Sequence, residues 1–224
     1  MSFDPVWDQK FGEGYGDRYP WDSVVSFVHR NAPRDRPREK IVVGEVGFGA
    51  GSNLWFAARE GFSVCGIEGS AAAVEKARQR FAQDGLRGDL RQSDFASPLP
   101  FADASVDLMI DRAAITCVGA SIARGLTREI ARVLKPGGRF FFNPYSRAST
   151  SFISATPDED DLVRDVTAGT LTGLGRLCFY DEAMVHRLMD GALDVVSLSH
   201  MESVETAAQP PVVHAEWRVV AGKA

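Results

Sequence analysis

Hydrophobic positions fall alternately into short apolar runs and into longer stretches with helical spacing. The apolar runs predict strands at residues 40–46, 63–68, 89–92, 106–110 and 139–143. Helical spacing begins at Ser52 and returns over residues 70–84 and 122–133. The run at 106–110 is apolar on both faces, as is typical of a central parallel strand. This alternation predicts a doubly wound α/β sheet with right-handed crossovers.

The first 38 residues depart from this alternation. A short amphipathic helix is predicted at residues 21–30, and the segment before it is rich in aromatic and glycine residues. That pattern is neither a helix nor an ordinary strand. We interpret the segment as a mobile lid that orders over a ligand and excludes water, with packing against the sheet edge as the alternative. Its aromatic residues are Phe3, Trp7, Phe11, Tyr15, Tyr19 and Trp21.

The last third of the chain changes in pattern as well. Residues 146–180 are acidic and then rich in glycine and threonine, which predicts an insertion, such as a hairpin, near the mouth of a ligand site. A helix is predicted from Asp181, a strand at 193–198 and an antiparallel strand around Trp217. We expect one domain, 1–224, made of an N-terminal lid and helix (1–38), a ligand-binding core (39–145), the insertion (146–180) and a C-terminal helix and strands (181–224).

Composition narrows the classes of function. The 224 residues are 45% hydrophobic with a net charge of −5, which is typical of a soluble globular protein and disfavours nucleic-acid binding. No stretch approaches the roughly 20 apolar residues of a membrane helix, and no signal sequence is recognised, so we expect a cytoplasmic protein without membrane contact. The three cysteines and four histidines are scattered, so no metal site is predicted.

A glycine-rich turn follows the first predicted strand, in the sequence Glu45-Val46-Gly47-Phe48-Gly49-Ala50-Gly51. Glycines lack the Cβ that would keep a ligand away from the backbone amides. The helix that begins near Ser52 adds unpaired N–H groups and a positive dipole end, which suit a carboxylate or a phosphate. A nucleotide-like ligand is therefore predicted. Ser52 occupies the position of the third glycine in the dinucleotide fingerprint, which disfavours NAD.

The spacing of these glycines behind Glu45 resembles the first motif of class I S-adenosylmethionine (SAM) dependent methyltransferases. Other segments resemble that family in the same order: Glu68 at the end of the second strand, Asp94-Phe95 after the third, and residues 99–107 and 132–138 before the fourth and fifth. The chain is most similar to the type-11 methyltransferase domain family. This resemblance implies a seven-stranded, mostly parallel sheet with helices on both faces and an antiparallel last strand.

The resemblance also implies SAM as the cofactor and assigns residues to it. Glu45 and the glycines Gly47, Gly49 and Gly51 would surround the methionine part of SAM. Glu68 would hold the ribose, and Asp94 with Phe95 would hold the adenine. Asp111, at the end of the fourth strand, is expected both to bind the cofactor and to take part in catalysis.

The methyl acceptor is expected beyond the carboxyl end of the fourth strand. Arg112 could clamp an acidic acceptor and Asp111 could take a proton, with a mutual or local salt bridge as the alternative. His214 is the histidine we select as a base if the acceptor is a hydroxyl. Tyr15 and Tyr19 are candidate acceptor-binding residues.

These observations predict a SAM-dependent methyltransferase acting on a small molecule. Alignment of the reactants can supply on the order of 7–11 kcal/mol, so positioning should matter more than any one acid or base. A SAM-binding regulatory or scaffold protein is the alternative, and an NAD-dependent oxidoreductase ranks below it. Asn143-Pro144-Tyr145 resembles a motif of nucleic-acid methyltransferases, but it follows the fifth strand rather than the fourth and lacks a proline. The oligomeric state is not predicted.

Overall fold

The computed structural model describes residues 4–224, so Phe3 of the aromatic segment lies outside the described residues. Within that range the α-helices are α1 (Val6–Gly12), α2 (Asp22–Asn31), α3 (Ser52–Arg59), α4 (Ala71–Gln83), α5 (Ala120–Val133), α6 (Thr150–Ile153) and α7 (Glu182–Met189). The strands are β1 (Val42–Val46), β2 (Ser63–Glu68), β3 (Asp89–Gln92), β4 (Val106–Asp111), β5 (Leu134–Phe142), β6 (Thr156–Pro157), β7 (Leu162–Arg164), β8 (Leu177–Cys178), β9 (Asp194–Glu205) and β10 (Val212–Gly222).

Seven strands form one sheet in the order β3-β2-β1-β4-β5-β10-β9. The pairs among β1 to β5 are parallel, whereas β10 is antiparallel to both β5 and β9. The predicted fold class is therefore confirmed. Val46 lies opposite both Ile67 of β2 and Asp111 of β4, which brings the carboxyl ends of three strands to one edge. The strand order reverses between β1 and β4, and ligands of open α/β sheets bind at such a point.

Apolar side chains are buried on both faces of the sheet. On one face, α5 and α7 contribute residues such as Leu126 and Val185. On the other face, α2, α3 and α4 contribute residues such as Phe27, Leu54 and Val74. All six residues of β4 are buried, as expected of a central parallel strand, although Asp107 interrupts its apolar run and accepts a 2.8 Å hydrogen bond from the N–H of Val42. Two packed faces hold the sheet rigid beneath its carboxyl edge.

The N-terminal aromatic segment differs from the prediction. Residues Val6–Gly12 form a helix, so the prediction that this segment is not helical was wrong for these residues. Trp7 and Phe11 are four positions apart and fall on one face of that helix, with Phe11 buried. The glycines that concealed the helical spacing lie at its end, where Gly14 and Gly16 adopt positive φ angles of 108° and 133°. The helix is therefore a single short element before an irregular stretch.

Two strands are longer than predicted. β5 begins at Leu134, and its turn residues bulge out of the sheet, because Leu134 pairs with Val106 while Arg139 already pairs with Leu108. β9 extends to Glu205 beside β10, although most of its residues are exposed. Its outer half has no apolar alternation to predict a strand. Residues 150–178 form α6 and a small antiparallel sheet, β6-β7-β8, which packs through Phe179 against Tyr145.

Candidate functional site

A cavity opens at the carboxyl edge of the sheet, where β1, β2 and β4 end. As far as residues 4–224 are concerned, its wall is formed by seven residues within 45–53, by the end of β2, by the loops after β2, β3 and β4, by Tyr145 and by six residues of the N-terminal segment. We call these residues the cavity lining. Most of the residues selected from the sequence belong to it, namely Glu45, Gly47, Gly49, Glu68, Asp94, Phe95, Arg112 and Tyr15.

The glycine turn is shaped by three left-handed residues. Gly47, Gly49 and Gly51 have φ angles of 68°, 52° and 77°, which side-chain-bearing residues rarely adopt. A Cβ on Gly47 would clash with the side chain of Ala114, and one on Gly51 would lie 2.9 Å from the Cβ of Ala77. Gly47 and Gly49 are in the cavity lining, whereas Gly51 serves the packing of α3 against α4.

Glu45 lies at the floor of the cavity and is almost fully buried. Its Oε1 accepts a hydrogen bond of 2.7 Å from Nδ2 of Asn53, and within the described range its Oε2 has no hydrogen-bond partner. Burial raises the pKa of Glu45 to about 8. This carboxyl group is therefore poised to lose a proton when a cationic group comes to lie beside it.

Glu68 ends β2 and joins the glycine turn to α4. One carboxylate oxygen accepts a 2.9 Å hydrogen bond from the N–H of Gly49, and the other accepts a 2.8 Å bond from the N–H of Ser70. Burial raises the pKa of Glu68, and these N–H donors oppose that shift. Each oxygen keeps a second lone pair, so the group remains able to accept bonds from a ligand.

Asp94 and Phe95 form the opposite wall of the same end of the cavity. Oδ1 of Asp94 accepts a 2.8 Å hydrogen bond from the N–H of Ala96, which fixes the loop after β3. The ring of Phe95 comes within 3.2 Å of the position that a Cβ on Gly47 would take. An apolar ring thus faces the bare backbone of the turn.

Arg112 lies at the other end of the cavity, and its side chain is only 8% exposed. Its guanidinium carbon is 3.9 Å from the ring centroid of Trp21, a cation–π geometry. Its Nη2 lies 3.3 Å from Oε2 of Glu216, so the sequence alternative of a local salt bridge is present, but with Glu216 rather than Asp111. Nε of Arg112 is buried and lacks a hydrogen-bond partner within residues 4–224.

Asp111 is fully buried and lies outside the cavity lining. Its Oδ1 accepts hydrogen bonds from the N–H groups of Ala114 (3.1 Å) and Ile115 (2.8 Å), which start the short 3-10 helix Ile115–Cys117. Burial raises its pKa to about 7. The geometry gives this carboxyl group a positioning role, because it shapes the loop that carries Arg112 and Ala114.

The remaining three candidates differ in position. Tyr15 is in the cavity lining and makes edge-to-face contacts with Trp7 and Phe11. Tyr19 is 66% exposed and lies outside the lining. His214 also lies outside it: its Nδ1 is 2.7 Å from Oγ1 of Thr170, and burial lowers its pKa. The structure therefore does not bring Tyr19 or His214 to the cavity.

Residues 44–142 match the family model described as a methyltransferase domain, the type-11 family. The chain is 29% identical over 192 residues to a probable SAM-dependent methyltransferase of Mycolicibacterium smegmatis, a match that covers 85% of this chain and 69% of the relative. It is 34% identical over 100 residues to ribosomal RNA small subunit methyltransferase C of Alcanivorax borkumensis, covering 42% and 29% of the two chains.

A solved SAM-dependent methyltransferase from Methanosarcina mazei has the same fold, with a TM-score of 0.72 at 18% identity, over 92% of this chain and 98% of that one. Residues 44–142 are therefore a methyltransferase domain, and the described chain has the fold of class I SAM-dependent methyltransferases. The cofactor of this methyltransferase domain is SAM. The chain spans between 29% and 69% of the length of the curated relatives it matches.

The N-terminal segment of the methyltransferase crosses the cavity and is fastened to α4. Oδ1 of Asp8 accepts hydrogen bonds from Oγ of Ser70 (2.7 Å) and from the N–H of Ala72 (3.1 Å), at the first turn of α4. Further along α4, Lys76 donates to the carbonyl of Phe11, and Arg80 to that of Arg18. Phe11 itself lies over Gly49, with its ring 3.1 Å from the position that a Cβ there would take.

Sequence reasoning missed Asn53 and Glu216 as site residues of the methyltransferase. Asn53 follows the glycine turn directly and bonds both Glu45 and, through Oδ1, the N–H of Trp21 at 3.1 Å. Glu216 stands on the polar side of the last strand, where alternation predicts solvent, yet it is 7% exposed.

In the described part of the chain no helix is long and apolar enough to cross a membrane, and no cluster of histidine, cysteine and carboxylate side chains could hold a metal ion.

Proposed function

We propose that this protein transfers the methyl group of SAM to a small-molecule acceptor held in the cavity. In that reaction the bond between sulfur and methyl carbon breaks while a bond from the acceptor nucleophile to that carbon forms. The electron pair of the broken bond stays on sulfur, which leaves S-adenosylhomocysteine. A proton on the nucleophile passes to solvent or to a neighbouring base.

The observation that carries this proposal is the make-up of the cavity. One end is bare backbone with buried carboxyl groups, and the other is a buried guanidinium among aromatic rings. A cavity with these two ends suits two ligands of different chemistry placed side by side.

We assign the cofactor to the end with the glycine turn, and its residues fit the group. Oε2 of Glu45 needs a donor, which the ammonium of SAM would provide. The N–H groups of Gly47 and Gly49 already donate to Ile67 and Glu68, so these glycines contribute open space beside the backbone rather than free donors. Glu68 would accept the ribose hydroxyls, and Asp94 and Phe95 would hold the adenine. When bound, SAM supplies an electrophilic methyl group on a positively charged sulfur.

The protein's own contribution is alignment and the exclusion of water. Displacement at the methyl carbon requires the nucleophile in line with the bond that breaks, and such alignment is worth on the order of 7–11 kcal/mol. We propose that Trp7, Phe11 and Tyr15 act as a lid, because they form the outer wall of the cavity. We further propose that residues 1–224 form a single domain, with Asp111 setting the shape of its acceptor loop.

Transfer of label from tritiated SAM tests the proposal. The full chain is incubated with a metabolite extract, with total RNA and with total protein in parallel, and cofactor binding is measured by calorimetry with SAM, S-adenosylhomocysteine and NAD. We expect SAM and its product to bind, NAD not to bind, and label to enter the metabolite fraction. Label in RNA alone would replace the small molecule by a nucleic acid, and SAM binding without transfer to any fraction would favour a regulatory protein.

A further inference from the structure

The acceptor end of the cavity carries a buried guanidinium with an unpartnered donor, that of Arg112, and this observation bears on the acceptor if the proposed function holds. Glu216 is a single buried carboxylate facing two guanidinium groups. Its Oε1 accepts a 3.0 Å hydrogen bond from Nε of Arg218, and its Oε2 lies 3.3 Å from Nη2 of Arg112. Asp22 also approaches Arg218, at 3.8 Å, but it is 80% exposed, so solvent screens its charge.

Other groups near Arg112 leave its charge only partly compensated. His214 adds no negative charge, and its Nε2 lies 4.0 Å from Oε2 of Glu216. Asp111 is buried, its Oδ1 accepts bonds from backbone N–H groups, and burial raises its pKa to about 7, so it is only partly ionised near neutral pH. Asp17 of the lining is exposed, so solvent screens its charge. Glu216 is the remaining buried carboxylate of this group, and Arg112 shares it with Arg218.

Arg112 is the cation of this group that reaches the cavity, because Arg218 lies outside the lining. Trp21 covers the face of its guanidinium, so the edge is what remains for a ligand. On that edge Nε is buried and unpartnered among the described residues. A buried donor left without a partner is unfavourable, and a bound oxygen atom would satisfy it.

The surroundings of Arg112 indicate what the rest of the ligand is like. The ring centroids of Trp21 and Tyr145 lie 3.9 and 6.0 Å from its guanidinium carbon, and Tyr15 and Val118 belong to the same lining. One partly compensated guanidinium and one unpartnered donor match a monoanion better than a dianion. We propose that the methyl acceptor is a small organic acid with an apolar or aromatic body, whose carboxylate binds Arg112.

Calorimetry with matched probes tests this inference. Benzoate, phenylacetate and hydrocinnamate are each compared with the corresponding amide and with phenyl phosphate, on the full chain saturated with S-adenosylhomocysteine. We expect at least one acid to bind at least tenfold more tightly than its amide. Equal affinity for acids and amides, no binding of any acid, or a preference for the phosphate ester would each overturn the proposal.

Variants identify the residue responsible. Arg112→Gln should weaken binding of the acid at least tenfold while changing binding of the amide less than threefold. Arg112→Lys keeps the charge but has no Nε–H, so we expect an intermediate loss. Arg218→Gln keeps the lining but leaves Glu216 to Arg112 alone, so we expect a smaller loss of acid binding than in Arg112→Gln. Arg124→Gln, at an exposed position of α5 outside the lining, is the matched control, and acid binding should change less than threefold. An equal loss in the Arg218 variant would mean a general field effect and would overturn the role of Arg112.

The order of measurements separates this inference from the proposed function. Titration of S-adenosylhomocysteine comes first, and its failure to bind the unmodified protein would refute the methyltransferase activity itself. If it binds, but acids and amides are not distinguished, the methyltransferase activity stands and the acid acceptor is refuted. Each variant must also bind S-adenosylhomocysteine as the unmodified protein does, which guards against misfolding.

Discussion

The two ends of the cavity are built in different ways. The end with the glycine turn comes from one continuous stretch, residues 45–53, with Glu68 beside it, and much of its surface is backbone. The opposite end is assembled from Tyr15, Trp21, Arg112 and Tyr145, which are distant in the chain. A site made of backbone tolerates almost no change at its glycines. A site made of side chains can be altered one residue at a time, and that is how a common cofactor is combined with varied acceptors.

The two ends also differ in charge. Glu45 and Glu68 are buried carboxyl groups at the first end, and Arg112 is a buried cation at the second. The first end therefore offers carboxyl oxygens that accept hydrogen bonds, with Glu45 protonated near neutral pH in the unliganded protein, whereas the second end offers a fixed positive charge.

The largest expected effect concerns the backbone end. Gly47→Ala adds a Cβ at a φ of 68° and against the side chain of Ala114, so the turn must open or the loop after β4 must move. We expect the dissociation constant for SAM to rise more than a hundredfold, measured by calorimetry.

Gly125→Ala is the matched control for that change. Nothing lies within 4 Å of a Cβ at Gly125, and alanine is a better helix former at this exposed position in α5. SAM affinity should stay the same and the melting temperature should not fall. If Gly47→Ala bound SAM as tightly as the control does, the backbone of the glycine turn would not be the surface that binds SAM.

A smaller effect is expected where a side chain covers the glycine turn. Phe11→Ala removes the buried ring that lies over Gly49, and we expect SAM to bind about tenfold more weakly. Phe101→Ala provides the comparison, since Phe101 packs on the core but lies outside the cavity lining. It should lower the free energy of unfolding and leave SAM affinity within threefold. Equal effects of the two changes on affinity would leave no special role for the N-terminal segment.

The next prediction concerns stability rather than affinity, and it rests on the proton of Glu45. The pKa of about 8 in the folded protein exceeds the ordinary 4.5, so between these values the folded chain holds a proton that the unfolded chain lacks. The free energy of unfolding of the unliganded protein should therefore fall as pH rises from 4.5 to 8, by at most about 1.4 kcal/mol per pH unit, and level off above 8.

Urea unfolding of the unmodified protein and of Glu45→Gln across this range checks the point. The variant should lose that part of the slope. Asp111→Asn is the comparison, because the raised pKa of Asp111, about 7, places its own loss of stability between pH 3.8 and 7. Parallel curves for the unmodified protein and Glu45→Gln above pH 7 would show that Glu45 is not protonated in the folded state.

The difference between the two ends of the cavity also explains which site residues could be predicted from sequence. The glycine turn, Glu45 and Glu68 follow local rules of turn and strand, so their places could be predicted. The pairing of Arg112 with Glu216 depends on how β10 lies beside β5, which separates it from β4, and no local pattern encodes it. Alternation along the last strand even predicts a solvent-facing Glu216, because it describes the strand and not the loops that cover it.

The N-terminal segment shows that residues can be singled out from the sequence while their secondary structure is not predicted. Its aromatic residues could be singled out from composition, but the short helix Val6–Gly12 is stabilised by contacts with α4 that lie far along the chain. A helix of this length is marginal by itself. Only the folded core supplies the partners that make it form.

The way this segment is attached separates ligand exchange from folding. Asp8 of the segment accepts hydrogen bonds at the start of α4, and Lys76 and Arg80 of α4 donate to carbonyl groups of the segment. All of these contacts lie near the surface. Such polar attachments weaken as dissolved ions accumulate, whereas the apolar packing on both sides of the sheet does not. We therefore expect ionic strength to govern how readily molecules enter and leave, while the scaffold beneath stays intact.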